Sequence, residues 1–347
     1  MRGWLRGSGP DNSSDTSDTG GGWIIRRRDE RRRSGSNGRA LPTHDAMREL
    51  RTAAWPRSTR ARTLQALTTM NIITRGSGQP LLLIHGIGGS WRSWDPILDG
   101  LASEREVIAV NLPGFGESAA LHGPTTIGTL ADSVEAFMQA HGLWGVDAVG
   151  SSMGARLVLE LARRGGMGAV VALDPGGFWR GWERYAFYGS IAVSVRLIRA
   201  LQPVMPFFTH HALTRALLFA QLSAHSTRLP QRVILNEMRA YAASPVFDEL
   251  LRDLAFGEEQ KGAPAGSLEA PLVIGWGRRD RVCLPRQAAR ALALFPDARL
   301  HWFDDCGHFP HWDRPGETIN IILDATRPRP SQRVLRTPRA VASSPRT

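Results

Sequence analysis

Cysteine is scarce in this 347-residue chain: Cys283 and Cys306 are the two it has. They provide neither a disulfide framework nor zinc-ligand spacing, and a reducing compartment is the expectation that follows. Lysine is nearly absent, with Lys261 standing against forty-two arginines, a bias that suggests a GC-rich genome and carries little chemistry. No segment approaches the roughly 20 apolar residues of a membrane span. No apolar run of signal-peptide length precedes the polar stretch 11–22. These absences lead to the expectation of a soluble, cytoplasmic protein.

The formal charge of +11 is concentrated at the two ends. Residues 1–60 hold thirteen Arg and seven acids, and residues 327–347 hold six Arg and no acid. Each end therefore carries +6, which leaves the middle at −1. A near-neutral middle argues against a nucleic-acid-binding core. The triplets Arg26-Arg27-Arg28 and Arg31-Arg32-Arg33 could touch acidic lipid or nucleic acid, but a solvated, disordered tail is the plainer reading.

Residues 1–60, rich in Gly, Ser, Asp and Arg, lack periodicity and read as disordered, as do residues 327–347. Arg62–Leu67 and Asn71–Thr74 suggest an edge hairpin. Leu81–Ile84 is a continuous apolar run of the kind found in a buried parallel strand. Further strands are expected at Val107–Val110, Val146–Val149, Ala169–Leu173, Leu272–Trp276 and Arg299–Phe303. Helical spacing marks Trp94–Leu101, Ile127–His141, Ala155–Arg164, Pro285–Phe295 and Gly316–Ala325. Such alternation predicts a parallel sheet covered on both faces. It is interrupted between Phe178 and about Phe256 by amphipathic helical segments, which read as an inserted cap. The domain reading is a core in two parts, 61–177 and 261–326, around a helical cap at 178–260.

The most informative stretch is Gly150-Ser151-Ser152-Met153-Gly154. It follows an apolar run and precedes a helical one. Strand, Gly-x-Ser-x-Gly, helix is the layout of a nucleophile elbow, whose tight turn leaves no room for side chains two residues either side of the serine. A serine hydroxyl needs a base, and the base needs a third group to fix its tautomer. His308, in Cys306-Gly307-His308-Phe309-Pro310 just past the last strand, is the favoured base, with His311 its rival. Asp280, past the Leu272–Trp276 strand, is the favoured acid and lies between serine and histidine in the chain. Asp174, at the end of the strand after the elbow helix, is the alternative acid, whereas Asp304 and Asp305 fit a turn better. An oxyanion needs two backbone donors. Met153 follows the nucleophile, and Ile87 lies in His85-Gly86-Ile87-Gly88-Gly89, where Gly86 lets the backbone approach substrate. His85 reads as a structural residue that holds this loop.

Taken together, these pieces resemble the α/β-hydrolase superfamily, in its capped esterase-like or lipase-like branch. The matching stretches are His85–Gly89, Leu112-Pro113-Gly114-Phe115-Gly116-Glu117-Ser118, Gly150–Gly154, Gly277–Asp280 and Gly307-His308, in the family's order, across about residues 70–326. Asn111 departs from the pattern, since many relatives carry aspartate before the Leu-Pro-Gly turn. The resemblance implies an eight-stranded, mostly parallel sheet, a triad of Ser152, Asp280 and His308, and no metal or organic cofactor. A serine nucleophile leaves esterase, lipase, amidase, carbon–carbon-bond hydrolase and cofactor-free peroxidase-like chemistry open, and a silent, ligand-binding protein of the same fold as well. The expected partner is a small apolar ester or acyl compound. Trp179, Trp182, Tyr185, Phe187, Tyr188, Phe207 and Phe208 could line its entrance, with Trp179 and Trp182 as the substrate-binding candidates. Arg180 and Arg184 could bind an acidic group, though solvated charges are the plainer reading. Cys283 and Cys306 read as inert thiols.

Overall fold

Apolar runs bounded by turn residues become the strands of one sheet. The computed structural model describes residues 70–327. Residues 1–69, including the hairpin arm expected at Arg62–Leu67, and residues 328–347 lie outside the described part. The strands are β1 (Ile72–Arg75), β2 (Pro80–Ile84), β3 (Glu106–Val110), β4 (Val146–Ser151), β5 (Met167–Leu173), β6 (Leu272–Gly277) and β7 (Arg299–Phe303). Their spatial order is β1-β3-β2-β4-β5-β6-β7. β1 runs antiparallel to β3, and every other pair is parallel. The described residues thus form seven strands rather than the expected eight.

The sheet is buried on both faces, which is why its central strands show no polar alternation. Leu82 and Ile84 of β2 pack on one side with Leu130, Val134 and Phe137 of the helix Ile127–Ala140. Leu81 and Leu83 pack on the other with Ile97, Leu98 and Leu101 of the helix Asp95–Ala102 and Ile322 of the helix Pro315–Ala325. In chain order these helices and the elbow helix are α1 (Asp95–Ala102), α2 (Ile127–Ala140) and α3 (Met153–Arg163). Thr126 starts α2 with a reciprocal cap: its hydroxyl accepts from the Thr129 amide, and the Thr129 hydroxyl accepts from the Thr126 amide. At the amino end of the sheet, buried Arg105 donates to the Gln79, Pro80 and Thr326 carbonyls and pairs with Asp147 at 2.7 Å.

Among the described residues no strand falls between β5 and β6. The interval holds five helices: α4 (Trp182–Ala200), α5 (Met205–His210), α6 (Ala212–Leu218), α7 (Gln231–Ala243) and α8 (Phe247–Phe256). Ile198, Met205, Phe219, Ile234 and Met238 form a second core inside this layer, joined by Phe309 and Trp312 from the far end of the chain. After β6 come α9 (Ala288–Leu294), then β7, α10 (Pro310–Asp313) and α11 (Pro315–Ala325).

Helix α3 approaches β2 closely. A methyl group at Gly154 would collide with the Ile84 and His85 carbonyls, and one at Gly150 with the Gly154 backbone. Gly154→Ala is expected to lower stability by about 3 kcal/mol, because the obstacle is backbone rather than a yielding side chain. Gly189→Ala in α4 meets nothing within 4 Å and is expected to raise it by about 0.5–1 kcal/mol through helix propensity. Urea unfolding midpoints of the two variants check both signs.

Candidate active site

Ser152 lies between the end of β4 and the start of α3 with φ 56° and ψ −112°, in the left-handed half of backbone space that non-glycine residues rarely occupy. Its amide donates to the Leu173 carbonyl at 2.9 Å and its carbonyl accepts from the Arg156 and Gly176 amides, so the turn is secured from β5 and from its own helix. The side chain stands at the carboxyl end of the sheet, 5% exposed. Its hydroxyl donates to Nε2 of His308 at 2.9 Å. Nδ1–H of His308 donates to Oδ2 of Asp280 at 2.8 Å. Asp280 Oδ1 accepts from the Val282 and Cys283 amides at 2.7 and 3.0 Å, which leaves the carboxylate no freedom to turn. The structure therefore brings Ser152, His308 and Asp280 into one buried hydrogen-bonded row.

The rival residues lie elsewhere. His311 is buried against the Trp94 ring at 4.7 Å, and its pKa is pushed down to about 3, first by burial and then by His308. Asp174 is fully buried, also at positive φ, and its Oδ1 accepts from the Gly277 amide at 2.8 Å. Both nitrogens of His308 are already taken by Asp280 and Ser152. Burial, and then the neighbouring Asp280 carboxyl, push the Asp174 pKa well above the usual carboxylate range, so Asp174 stays protonated. Asp304 pairs with Arg278, and Asp305 with His225 and Arg279, at the surface turn.

The loop after β2 faces the serine. A methyl group on Gly86 would lie 3.2 Å from Ser152 Cβ, so the bare backbone at this position is what allows the approach. Ile87 lines the cavity beside Gly86, Ser152 and His308. Met153 is the first residue of α3, and the amides of a first helical turn have no partner within the helix. His85 Nδ1–H donates to the Gly86 carbonyl at 2.7 Å, and Nε2 accepts from the Leu112 amide at 3.0 Å. Burial pushes its pKa down to about 4, with the Gly86 bond opposing, and keeps the ring neutral as this two-way bridge requires. Asn111 accepts from the Trp91 amide and donates to Asn71 Oδ1 at 2.9 Å; an aspartate could not make the second bond.

The cavity over Ser152 is walled by Phe187, Ile191, Val195 and Ile198 of α4, with Met238 and Phe247 opposite. Its polar lining beyond the row is Ser194, Gln221 and Tyr241, and no Arg or Lys side chain lines it among the described residues. Of the seven aromatics expected at the entrance, only Phe187 lines it. Trp179 lies behind, stacked on Phe187 with ring centroids 4.2 Å apart. Trp182 is 64% exposed under the Arg286 guanidinium, so neither tryptophan holds the substrate-binding position expected of it. The cause is Glu183, which pairs with Arg286 and Arg290 at 2.6 and 2.7 Å and so turns the start of α4 with Trp182 outward. Tyr185 and Phe207 are likewise exposed. Arg184 pairs with Glu259 at the surface.

Two carboxylates that sequence reasoning missed brace the site. Asp313 accepts from the Gly307 amide, the Ser223 hydroxyl and the Ala224 and His225 amides, and the His308 amide donates to the Leu222 carbonyl. Glu237 of α7, fully buried, accepts from the Ser93 hydroxyl at 2.8 Å and bonds the Tyr241 hydroxyl, linking the cap to the turn that follows the Gly86 loop. The carboxylate, thiol and imidazole of Asp280, Cys283 and His308 offer donor atoms within 4.8 Å of one another. The imidazole is already engaged at both nitrogens, and burial first, then the Asp280 carboxyl, raises the Cys283 thiol so that it keeps its proton. These groups fit the hydrogen-bonded row better than an ion.

The sequence profile of the α/β-hydrolase fold matches residues 79–315 of this chain. The chain belongs to the α/β-hydrolase family. Among named relatives, the chain is 30% identical over 259 residues to a dihydrolipoyllysine-residue acetyltransferase component of an acetoin cleaving system from Cupriavidus necator, covering 72% of this chain and 63% of that protein. It thus spans under two thirds of that relative's length. It is 24% identical over 271 residues to a 2-hydroxy-6-oxo-6-phenylhexa-2,4-dienoate hydrolase from Comamonas testosteroni, covering 73% of this chain and 90% of the relative. A thermophilic esterase from Thermogutta terrifontis shares the fold, with a TM-score of 0.57 and 20% identity over 74% of this chain and 92% of the esterase.

Burial pushes the Glu237 pKa up to about 7, with the Ser93 and Tyr241 bonds opposing and Asp95 adding to the rise. The folded chain therefore keeps this proton to a higher pH than the unfolded chain, which releases it near 4.5. Stability contributed at this site is greatest below the lower value and falls as pH rises through the window between them. Glu237→Gln removes that slope, and the variant should gain on the order of 3 kcal/mol over its parent between about pH 4 and pH 8. Urea titrations of both proteins at stepped pH check it.

Proposed function

We propose that this protein is a serine hydrolase that cleaves a carboxylic ester, or a related acyl compound, carrying an apolar moiety. The observation that carries the reading is the row itself, with His308 Nε2 at 2.9 Å from the Ser152 hydroxyl and Nδ1 at 2.8 Å from Asp280. His308 takes the Ser152 proton as the hydroxyl oxygen attacks the acyl carbon. Asp280 holds the tautomer that leaves Nε2 free to accept, and it stabilises the imidazolium that forms. The Ile87 and Met153 amides receive the negative charge on the carbonyl oxygen. The imidazolium then gives its proton to the leaving alcohol, and a water activated by the same imidazole releases the acyl group from Ser152.

A carbon–carbon-bond hydrolase is the second reading, favoured by the name of the Comamonas testosteroni relative. A substrate with an acidic group would need a cation in the pocket, and no arginine or lysine lines this one among the described residues. That absence supports the neutral, apolar ester.

Ser152→Ala is expected to abolish both ester turnover and labelling by a fluorophosphonate probe; labelling that persists in this variant would sink the assignment. Asp280→Asn should lower turnover by about 10⁴, as loss of the orienting carboxylate does elsewhere. Asp174→Asn, which replaces an already neutral group, should stay within about tenfold of the parent. Rates on p-nitrophenyl esters compared with ring-cleavage diketones separate the two chemistries.

A further inference from the structure

The cap carries a surface that the reaction does not use. Val193 and Leu197 of α4, Val204 just before α5, Phe207 of α5, and Leu213 and Leu217 of α6 are each between 46% and 73% exposed. They lie on consecutive elements that are tied together. The Ser194 hydroxyl donates to Gln221 Oε1, and Gln221 Nε2 donates to the Ser190 hydroxyl, which straps α4 to the chain leaving α6. The Phe207 ring meets the His211 ring edge-on at 4.8 Å, bridging α5 and α6. Helix α4 is thus apolar on both sides: Ile191, Val195 and Ile198 face the cavity, while Val193 and Leu197 face solvent. A helix apolar all round is normally covered on both sides, and an apolar surface across several elements of a soluble fold marks an interaction site.

Charge says what covers it. From Arg184 to Asn236 the sequence has six arginines, three histidines and no Asp or Glu. Arg184 and Arg199 pair with Glu259 and Asp248 from outside this interval, and His225 pairs with Asp305. Arg196 and Arg228 are exposed and make no ion pair among the described residues. A second copy docked face to face would bring like charges together. An anionic bilayer supplies both complements, acyl chains for the apolar side chains and phosphates for the guanidinium groups. No single described helix is long and apolar enough to cross a membrane; the pair Trp182–Ala200 and Gln202–His210 reaches that length and composition only together and is bent by 65° at its break.

We propose that the outer face of α4–α6 docks on an anionic phospholipid surface, with Val193, Leu197, Phe207, Leu213 and Leu217 entering the headgroup boundary and Arg196 and Arg228 meeting lipid phosphates. This docking rests on the surface alone and holds whatever bond Ser152 attacks.

The test is flotation of the full chain with vesicles of phosphatidylcholine containing about 30% phosphatidylglycerol, against pure phosphatidylcholine. The parent should float with the anionic vesicles and lose binding as salt is raised from about 0.1 to 0.5 M. L213D/L217D should bind at least about tenfold more weakly, with its melting and circular dichroism unchanged. V193S/L197S, a milder pair on another helix, should weaken binding in the same direction and serves if the first variant does not fold. Equal flotation of parent and variants would overturn the proposal by assigning binding to the basic ends of the chain. So would failure of the parent to float, or a parent dimer that the variants break without any vesicle binding.

Discussion

The backbone at Ser152 is held in a conformation that few side chains tolerate, and the rest of the site is arranged around keeping it there. Helix α3 can come close enough to β2 only because Gly154 presents no Cβ to the Ile84 and His85 carbonyls. Gly150 leaves the same room for the first turn of the helix. That proximity puts Ser152 beside the Gly86 loop, with the first turn of α3 directly behind it. A strained serine backbone at such a position is held because its surroundings fix it on several sides.

Two strand ends, β5 and β6, each deliver a buried carboxyl to the space beneath His308. Two ionised carboxylates in so dry a place would repel strongly, and the fold resolves this by treating them differently. Asp280 receives two backbone amides and the imidazole N–H. Asp174 accepts one backbone amide, from Gly277, while burial and then the nearby Asp280 carboxyl hold its pKa well above the usual carboxylate range. The position that does not carry charge thus fills space beside the one that does, without competing for the imidazole.

What the sequence disclosed follows from how far each constraint reaches along the chain. The elbow was legible because its steric demand falls within five residues, Gly150 to Gly154. The loop His85–Gly89 and the turn from Leu112 to Ser118 were legible for the same reason. The strand runs could be read because parallel strands buried on both faces are continuous in apolar residues. The direction of the cap side chains could not be read, because α4 is apolar on both sides and its periodicity is lost. Trp182 and Phe187 look alike in the sequence, and Glu183, held by arginines a hundred residues away, decides which one turns inward. Glu237 and Asp313 left no local trace either, since their partners are Ser93 and Ser223.

Asp313 gathers the amide before His308 and three groups of the segment 223–225 onto one carboxylate. His308 and this corner of the cap are therefore tied to one carboxylate. Widening the cavity by lifting residues 222–225 would drag the imidazole away from the serine and dismantle the row. An opening of the cavity that leaves residues 222–225 in place keeps the row together, because the contacts of Asp313 are then undisturbed.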